Sequence, residues 1–436
     1  MKTNNSQSFK ILCSLFLTLA IAGVQDTNAQ FWKKKTKAKT EIATKKKAPK
    51  KKGKTIKELT KSSKKIEGLF TIYQDTVTGA THLLVKKEQL DNDFIYFSQI
   101  ADGVTEAGQF RGAYQGSSVF HIKKYFNRLE FVAPNTSFYF DEKNAISKSS
   151  SANISDAVIA AGKILATDDK TGEYLIAADG LFLSETFTRI KGPRFPGQSP
   201  FAFSLGRFDK TKSKIEEIKN YPENTNVKTE YVYNNPAVLN GGSSAVTDGR
   251  NVSIKVFHTF MNMPESDYET RMDDPRVGYF LTQTNNMTST DVVNYRDFIH
   301  RWKLVKKNPD ATISEPVTPI TWWIENTTPH EFRKAIEEGV LGWNKAFEKA
   351  GFINAIQVKI QPDDATWDAG DIRYNVLRWT SSPNPPFGGY GPSFVNPKTG
   401  QILGADIMLG YVYFTNRVKY EQLHKELKSG DRTLIS

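Results

Sequence analysis

Short runs of alternating apolar and polar residues, repeated from Gly68 onward, constrain this chain more than any other feature. Leu69-Phe70-Thr71-Ile72-Tyr73, His82-Leu83-Leu84-Val85 and Phe94-Ile95-Tyr96-Phe97 are too short for helices, and Thr78-Gly79 and Asp91-Asn92-Asp93 punctuate them as turns. The same grammar runs through Val119–Ile122, Leu129–Val132, Ser137–Phe140, Tyr174–Ile176, Leu181–Leu183, Thr229–Tyr233 and Val252–His258. Successive side chains of a strand face opposite sides, so these runs predict half-buried strands and a β-rich region over residues 66–295. That region reads either as one body or as a small unit over 66–110 followed by a larger one over 111–295. His121 and His258 fall inside apolar strands, where a packed histidine with one satisfied nitrogen is expected. Asp273-Asp274-Pro275-Arg276 sets acids beside an arginine just before a strand. It reads as a domain-junction salt bridge or as a cap over a site, with the structural role favoured.

Charge is distributed unevenly. The formal net charge is +12, yet residues 33–65 alone hold sixteen lysines against Glu41 and Glu58, so the rest of the chain is close to neutral. With almost nothing apolar to bury, residues 30–65 are predicted to be a disordered, lysine-rich linker. Upstream, Lys2 and Lys10 accompany an uncharged apolar stretch from Ile11 to Val24, and Thr27-Asn28-Ala29 supplies a small-residue cleavage site before Gln30. Residues 1–29 therefore read as a signal peptide, and the protein is expected to be exported: periplasmic, outer-membrane-associated or extracellular. In that setting the run Lys33–Lys65 points to an anionic envelope surface and not to nucleic acid, with a solvated spacer as the plain alternative. The single cysteine, Cys13, lies within the signal, so the mature chain has neither a disulfide nor a thiol nucleophile.

From Ile320 the texture changes. Ile320-Thr321-Trp322-Trp323-Ile324 predicts a strand, and Thr328-Pro329-His330-Glu331 predicts a capping box with proline in the first turn of a long helix. Phe332, Ile336, Val340, Trp343 and Phe347 form its apolar stripe, and Gly351 is its stop. Strands are predicted at Ile356–Ile360, Ile372–Trp379 and Ile402–Met408, with a short edge strand from Gly391 to Val395 before the last. Asp363, Asp364, Asp368 and Asp371 are of the type that ligates calcium, but their spacing fits no standard loop and an exposed polar turn is the favoured reading.

The order strand, long helix, strand, strand, short edge strand, strand resembles the N-terminal subdomain of metzincin-type zinc endopeptidases. The texture is similar too: W-N-K-A-F-E-x-A-G-F in the helix, D-I-R-Y in the third strand, and G-P-S-F-V-N-P-x-T-G-x-I-x-x-A-D-I around the edge strand. More narrowly, K-K-I-E-G-L-F-T-I-Y, F-I-Y-F-S-Q and D-P-R-V-G-Y-F extend the resemblance to exported zinc-dependent metalloproteases of the Bacteroidetes type. Those carry uncharacterised β-rich domains ahead of a "Met-zincin" catalytic region. The resemblance implies zinc as cofactor, peptide or protein as substrate, and a zinc-activated water attacking the peptide carbonyl. It also implies that substrate pairs with the edge strand, which makes Gly391, Pro392, Ser393 and Phe394 the upper rim of the binding cleft.

The family's next element is a helix bearing H-E-x-x-H-x-x-G-x-x-H, and no such motif occurs in this sequence. Its six histidines (His82, His121, His258, His300, His330 and His424) are scattered, and His424-Lys425-Glu426 lacks a second histidine. Arg417 to Ser436 is predicted to contain only a short charged helix-like stretch. The expected fold class is therefore α+β and multidomain, with residues 316–436 a partial metzincin-like domain of mixed sheet and one long helix that lacks its active-site helix. The expected function is that of the N-terminal portion of an exported zinc endopeptidase, itself inactive and without catalytic zinc. The alternative is a non-enzymatic envelope or secreted binding protein that uses the β-rich region and the basic tail.

Overall fold

The computed structural model describes residues 53–429 except Arg194, Ser266 and Pro386, with side chains up to residue 425. The signal-like segment 1–29 and residues 33–52 of the lysine run lie outside the described residues. Folded structure begins earlier than the linker prediction over 30–65 allows. The Thr55 hydroxyl accepts the Glu58 backbone N–H while the Glu58 carboxylate accepts that of Thr55, a reciprocal cap that opens the single-turn helix α1 (Ile56–Leu59). Strand β1 (Ser63–Ile66) follows and pairs with β2 (Thr71–Asp75). Exposed Lys64 and Lys65 disguise it, because the backbone ladder of an edge strand needs no apolar side chain.

Twelve strands make one curled sheet. After β1 and β2 come β3 (Thr81–Lys86), β4 (Asp93–Asp102), β5 (Tyr114–Tyr125), β6 (Arg128–Ala133), then β7 (Phe138–Tyr139, outside this sheet). The set continues with β8 (Ala157–Asp168), β9 (Glu173–Ala177), β10 (Arg207–Phe208), β11 (Lys214–Asn220), β12 (Asn224–Asn234) and β13 (Asn251–Asn262). Their spatial order is β1-β2-β3-β9-β8-β6-β5-β4-β13-β12-β10 with β11 also on β12, every ladder antiparallel. The curl brings the two ends together: Leu69 N–H donates to the Tyr221 carbonyl at 2.7 Å and Phe70 N–H to the Thr225 hydroxyl at 3.1 Å. Leu181-Phe182-Leu183, predicted as a strand, is instead the end of a helical turn, α2 (Asp179–Phe182). Three apolar residues carry no period, and here Leu181 and Phe182 both bury into the core inside the curl.

That core is aromatic. Phe120 is fully buried, with its ring 5.5 Å from Phe94 and 5.9 Å from both Phe131 and Phe260, mostly in tilted or edge-on arrangements. Strand β4 is buried along almost its whole length, unusual for an antiparallel strand. Its alternation explains this: Phe94 and Tyr96 join the aromatic core, while Ile95 and Phe97 join a second cluster that includes Ile372 and Phe394. The other face of the curled sheet is therefore covered by the C-terminal part of the chain.

The link between them contains three short pieces, β14 (Leu281–Thr282), β15 (Asn285–Asn286) and β16 (Phe298–Ile299), and then β17 (Arg301–Trp302). Within it Arg276 pairs bidentately with Asp274, two residues away, and both are exposed to solvent. The pair closes its own turn and bridges no domain junction.

The second sheet is mixed. It is built from β17, β18 (Ile320–Ile324), β19 (Ile356–Ile360), β20 (Asn375–Thr380), β21 (Gly389–Tyr390), β22 (Ser393–Val395) and β23 (Gln401–Gly410). The order β17-β23-β20-β18-β19 is parallel throughout, and β21 and β22 lie antiparallel on β23. Between β18 and β19 the predicted long helix is two helices, α3 (His330–Leu341) and α4 (Asn344–Lys349), interrupted at Gly342-Trp343. Glycine weakens a helix interior, and Trp343 is 62% exposed instead of continuing the stripe inward. Gly351, at φ 90°, follows α4 as the predicted stop. The predicted capping box does not form: the Thr328 hydroxyl is buried without a partner, and the Arg333 guanidinium instead donates to the Thr328 and Asn326 carbonyls at 3.0 and 2.9 Å. The last helix, α5 (Tyr411–Ser429), starts directly at the end of β23 and is longer than the short stretch predicted after Arg417. Taken together, the described chain is a β-rich, multi-sheet protein with few helices.

Candidate functional site

The rim predicted at Gly391, Pro392, Ser393 and Phe394 lies at the edge of the second sheet. Gly391 is exposed, Ser393 half-buried, and Pro392 and Phe394 buried. The ladder fixes which way the backbone faces. Asp406 N–H donates to the Pro392 carbonyl at 3.1 Å, so the 392/406 position is a hydrogen-bonded one. Ser393, opposite Ala405, then occupies the alternate position, and its N–H and carbonyl point away from β23 toward the open edge. In keeping with this, the Ala405 N–H turns the other way and donates to the Asn375 side chain at 3.0 Å. The backbone left unpaired at this edge is therefore that of Ser393.

Phe394 does something else. It is 3% exposed, with its ring 5.8 Å from Phe97 and 5.6 Å from Tyr114 of the curled sheet. Register shows why: Phe394 pairs with Gly404, so it shares a face of β23 with Asp406 and Met408. That face lies against the curled sheet. At Gly112, φ is 82° and a Cβ would come within 2.4 Å of the end of the fully buried Met408 side chain. Only glycine lets the two sheets approach this closely.

Where the two sheets meet beyond the end of β20, they enclose a cleft of about 340 Å³ between residues 102–111 and 380–387. Phe110 packs edge-on against Phe387 and Tyr390, at 4.7 and 5.3 Å, and so ties the cleft wall to the start of the rim. In open sheets with parallel strands, ligands bind outside the carboxyl ends of those strands, which is where this cleft sits. Glu106, on one wall, accepts from the Ser243 hydroxyl and amide and from the Thr105 hydroxyl, and these bonds hold its carboxyl below the usual range.

Deeper in the same interface lies a buried charged trio, Glu325, Arg378 and Asp406. Arg378 approaches Glu325 at 3.7 Å and Asp406 at 3.9 Å, and all three are nearly inaccessible. Burial pushes the Asp406 carboxyl up to about 7, with Arg378 opposing the shift and Glu325 and Asp368 adding to it. Asp406 Oδ2 and Arg378 Nε have no hydrogen-bond partner, whereas the Glu325 carboxylate accepts from the Trp379 amide and the Thr327 hydroxyl. The sequence reading passed over this trio, although the signal was present: single charges interrupt the apolar strands N-V-L-R-W-T and I-L-G-A-D-I-M.

The acidic loop does not assemble a site. Asp363 and Asp364 are exposed, Asp368 accepts the Gly370 amide at 2.8 Å, and buried Asp371 is gripped by Arg373, whose guanidinium stacks on Tyr221 at 3.3 Å. His258 is fully buried with both nitrogens engaged: Nδ1 by the Tyr96 hydroxyl at 2.7 Å, Nε2 by the hydroxyls of Tyr231 and Thr229. Burial holds it down to about 3, so it is neutral. His121 Nδ1 lies 3.8 Å from Asp93. Among the described residues, no three histidine, aspartate or glutamate side chains converge in a way that would hold a metal ion. The described residues therefore do not fit a zinc site.

Comparison with known proteins reaches only part of the chain. A family model described as a domain of unknown function (DUF5117) matches residues 112–307. That span runs from β5 to just past β17 and leaves β18 to α5 untouched. Nothing matches among curated proteins, and nothing among solved structures.

Proposed function

We propose that residues 320–410 are the substrate-holding half of a metzincin-like zinc endopeptidase that is exported to the periplasm, outer membrane or exterior. On this reading the β-rich region is its scaffold and an extended peptide or protein segment is its ligand. One observation carries it: a parallel β18-β19-β20-β23 core on which, among the described residues, β21 and β22 are the antiparallel members and form a short edge with the Ser393 N–H and carbonyl turned outward. An extended peptide would add to that edge as a further strand, its backbone supplying the bonds. Because the described residues do not fit zinc, no hydrolytic step is assigned to them, and the chain by itself is expected to hold peptide without cleaving it.

The test uses the full chain, unfolded reduced casein fragments as peptide probe, and zinc sulfate. Expected are peptide binding by anisotropy, loss of that binding in Ser393→Pro, and no EDTA-sensitive cleavage. Proline is tolerated on an edge strand whose N–H faces solvent, so the variant removes the donor without dismantling the sheet. Binding that is absent, or indifferent to Ser393→Pro, sinks the edge-strand reading. Stoichiometric zinc with EDTA-sensitive cleavage sinks the assignment of this chain as non-hydrolytic.

A further inference from the structure

The cleft at the end of the rim is lined by a guanidinium that no carboxylate contacts directly. Arg111 is half-buried on the cleft wall, and among the described residues it makes no hydrogen bond or ion pair. A guanidinium that lines a cleft without a partner keeps its donors free for a ligand, and a planar carboxylate is the group they match best. The surroundings narrow the ligand further. Phe110, Phe387 and Pro385 give it an apolar lining, and Ser381 and Ser382 line it as well. A volume of about 340 Å³ is at the small end of the range of roughly 300–1,000 Å³ typical of small-ligand sites, enough for one or two amino-acid side chains.

We propose that this cleft recognises an acidic side chain of an extended peptide, Arg111 pairing with its carboxylate while a neighbouring apolar side chain lies on Phe110 and Phe387. The inference deepens the edge-strand reading and rests on it for the word peptide, because Phe110 touches Tyr390 at the point where the rim begins. Asp102 and Glu106 also line the cleft, but neither competes for the pair. The Glu106 carboxylate is taken up by Ser243 and Thr105, and Asp102 is exposed and accepts the Gly103 amide. Their field opposes anions at a distance, so recognition depends on direct contact with Arg111 and not on long-range steering.

A probe too short to use the edge strand separates the two ideas. N-acetyl-phenylalanyl-glutamate amide and its glutamine counterpart, titrated into the full chain by saturation-transfer NMR, should differ about tenfold in favour of the glutamate, the scale of one charge-assisted bond. Arg111→Gln should level the two probes, and Arg111→Lys should restore part of the preference, which a merely misfolded variant would not do. Equal binding of the two probes by the unaltered chain, or no binding of either, overturns the cleft assignment whatever Ser393→Pro does to longer peptides. A preference that survives Arg111→Gln overturns the role given to Arg111.

Discussion

In the curled antiparallel sheet one fully buried titratable group is a neutral histidine whose two nitrogens are both engaged by hydroxyls; in the parallel sheet its counterpart is Asp406, with an unpaired oxygen beside a guanidinium held at 3.9 Å. The first arrangement satisfies a polar group inside an aromatic core, while the second leaves charge unsatisfied at the surface where the sheets meet. The two respond to pH in opposite senses. Unfolded imidazole takes up a proton near pH 6.5 and His258 resists it down to about 3, so the stability it contributes is lost as pH falls through that window. Asp406 keeps its proton up to about 7 when folded but loses it near pH 4 when unfolded, so stability is lost as pH rises between those values.

The largest effect tests whether the aromatic core carries the curled sheet. Phe120→Ala should cost about 4 kcal/mol in urea denaturation of the full chain, through lost burial plus an uncollapsed cavity. A loss below about 1 kcal/mol would mean that the surrounding phenylalanines close the gap. Next in size is the coupling between the sheets. Phe394→Ala should cost about 3 kcal/mol and split a single calorimetric transition in two, because Phe394 is the side chain that the edge strand plants between Phe97 and Tyr114. An unsplit transition would place the coupling elsewhere, at the Gly112–Met408 contact first.

Between about pH 4.5 and 6.5 the His258 and Asp406 contributions should each amount to about 2 kcal/mol with opposite sign, and so nearly cancel in the unaltered protein. Asp406→Asn should therefore make stability rise more steeply with pH across that window, and His258→Gln should make it rise less or fall. Denaturation at the two pH values decides; two variants with the same slope would remove the contrast. The smallest effect concerns the early start of the fold. Thr55→Ala should cost about 1 kcal/mol, read as faster amide exchange confined to residues 56–66.

Period and turn signals made the strands legible, since a half-buried strand writes its burial into alternation. They failed where burial does not follow that rule. Residues 63–66 form an edge strand carrying two lysines, and Leu181–Leu183 is too short a run to have a period. The rim was visible as a segment, but not the split between its members, because the buried fate of Phe394 depends on β4 and β5, sequentially some three hundred residues away. Arg111 was invisible for the same reason: the cleft it lines is completed by Thr380–Pro383, Pro385 and Phe387, distant in sequence.

The order of the large sheet has a consequence for how the chain must be made. Strand β4 is flanked by β5, its near neighbour, and by β13, whose residues Lys255–Asn262 pair with Asp102–Phe94. Until more than 150 further residues have emerged, one side of a strand that ends almost wholly buried has no partner, and its outer face waits longer still for Phe394 and Ile372. Long-range pairing of this kind is slow and leaves sticky edges uncovered. Production of this protein should therefore be limited by how long the nascent chain can be kept from pairing with its neighbours, and cooler, slower synthesis should raise the soluble yield more than any stabilising substitution within β4.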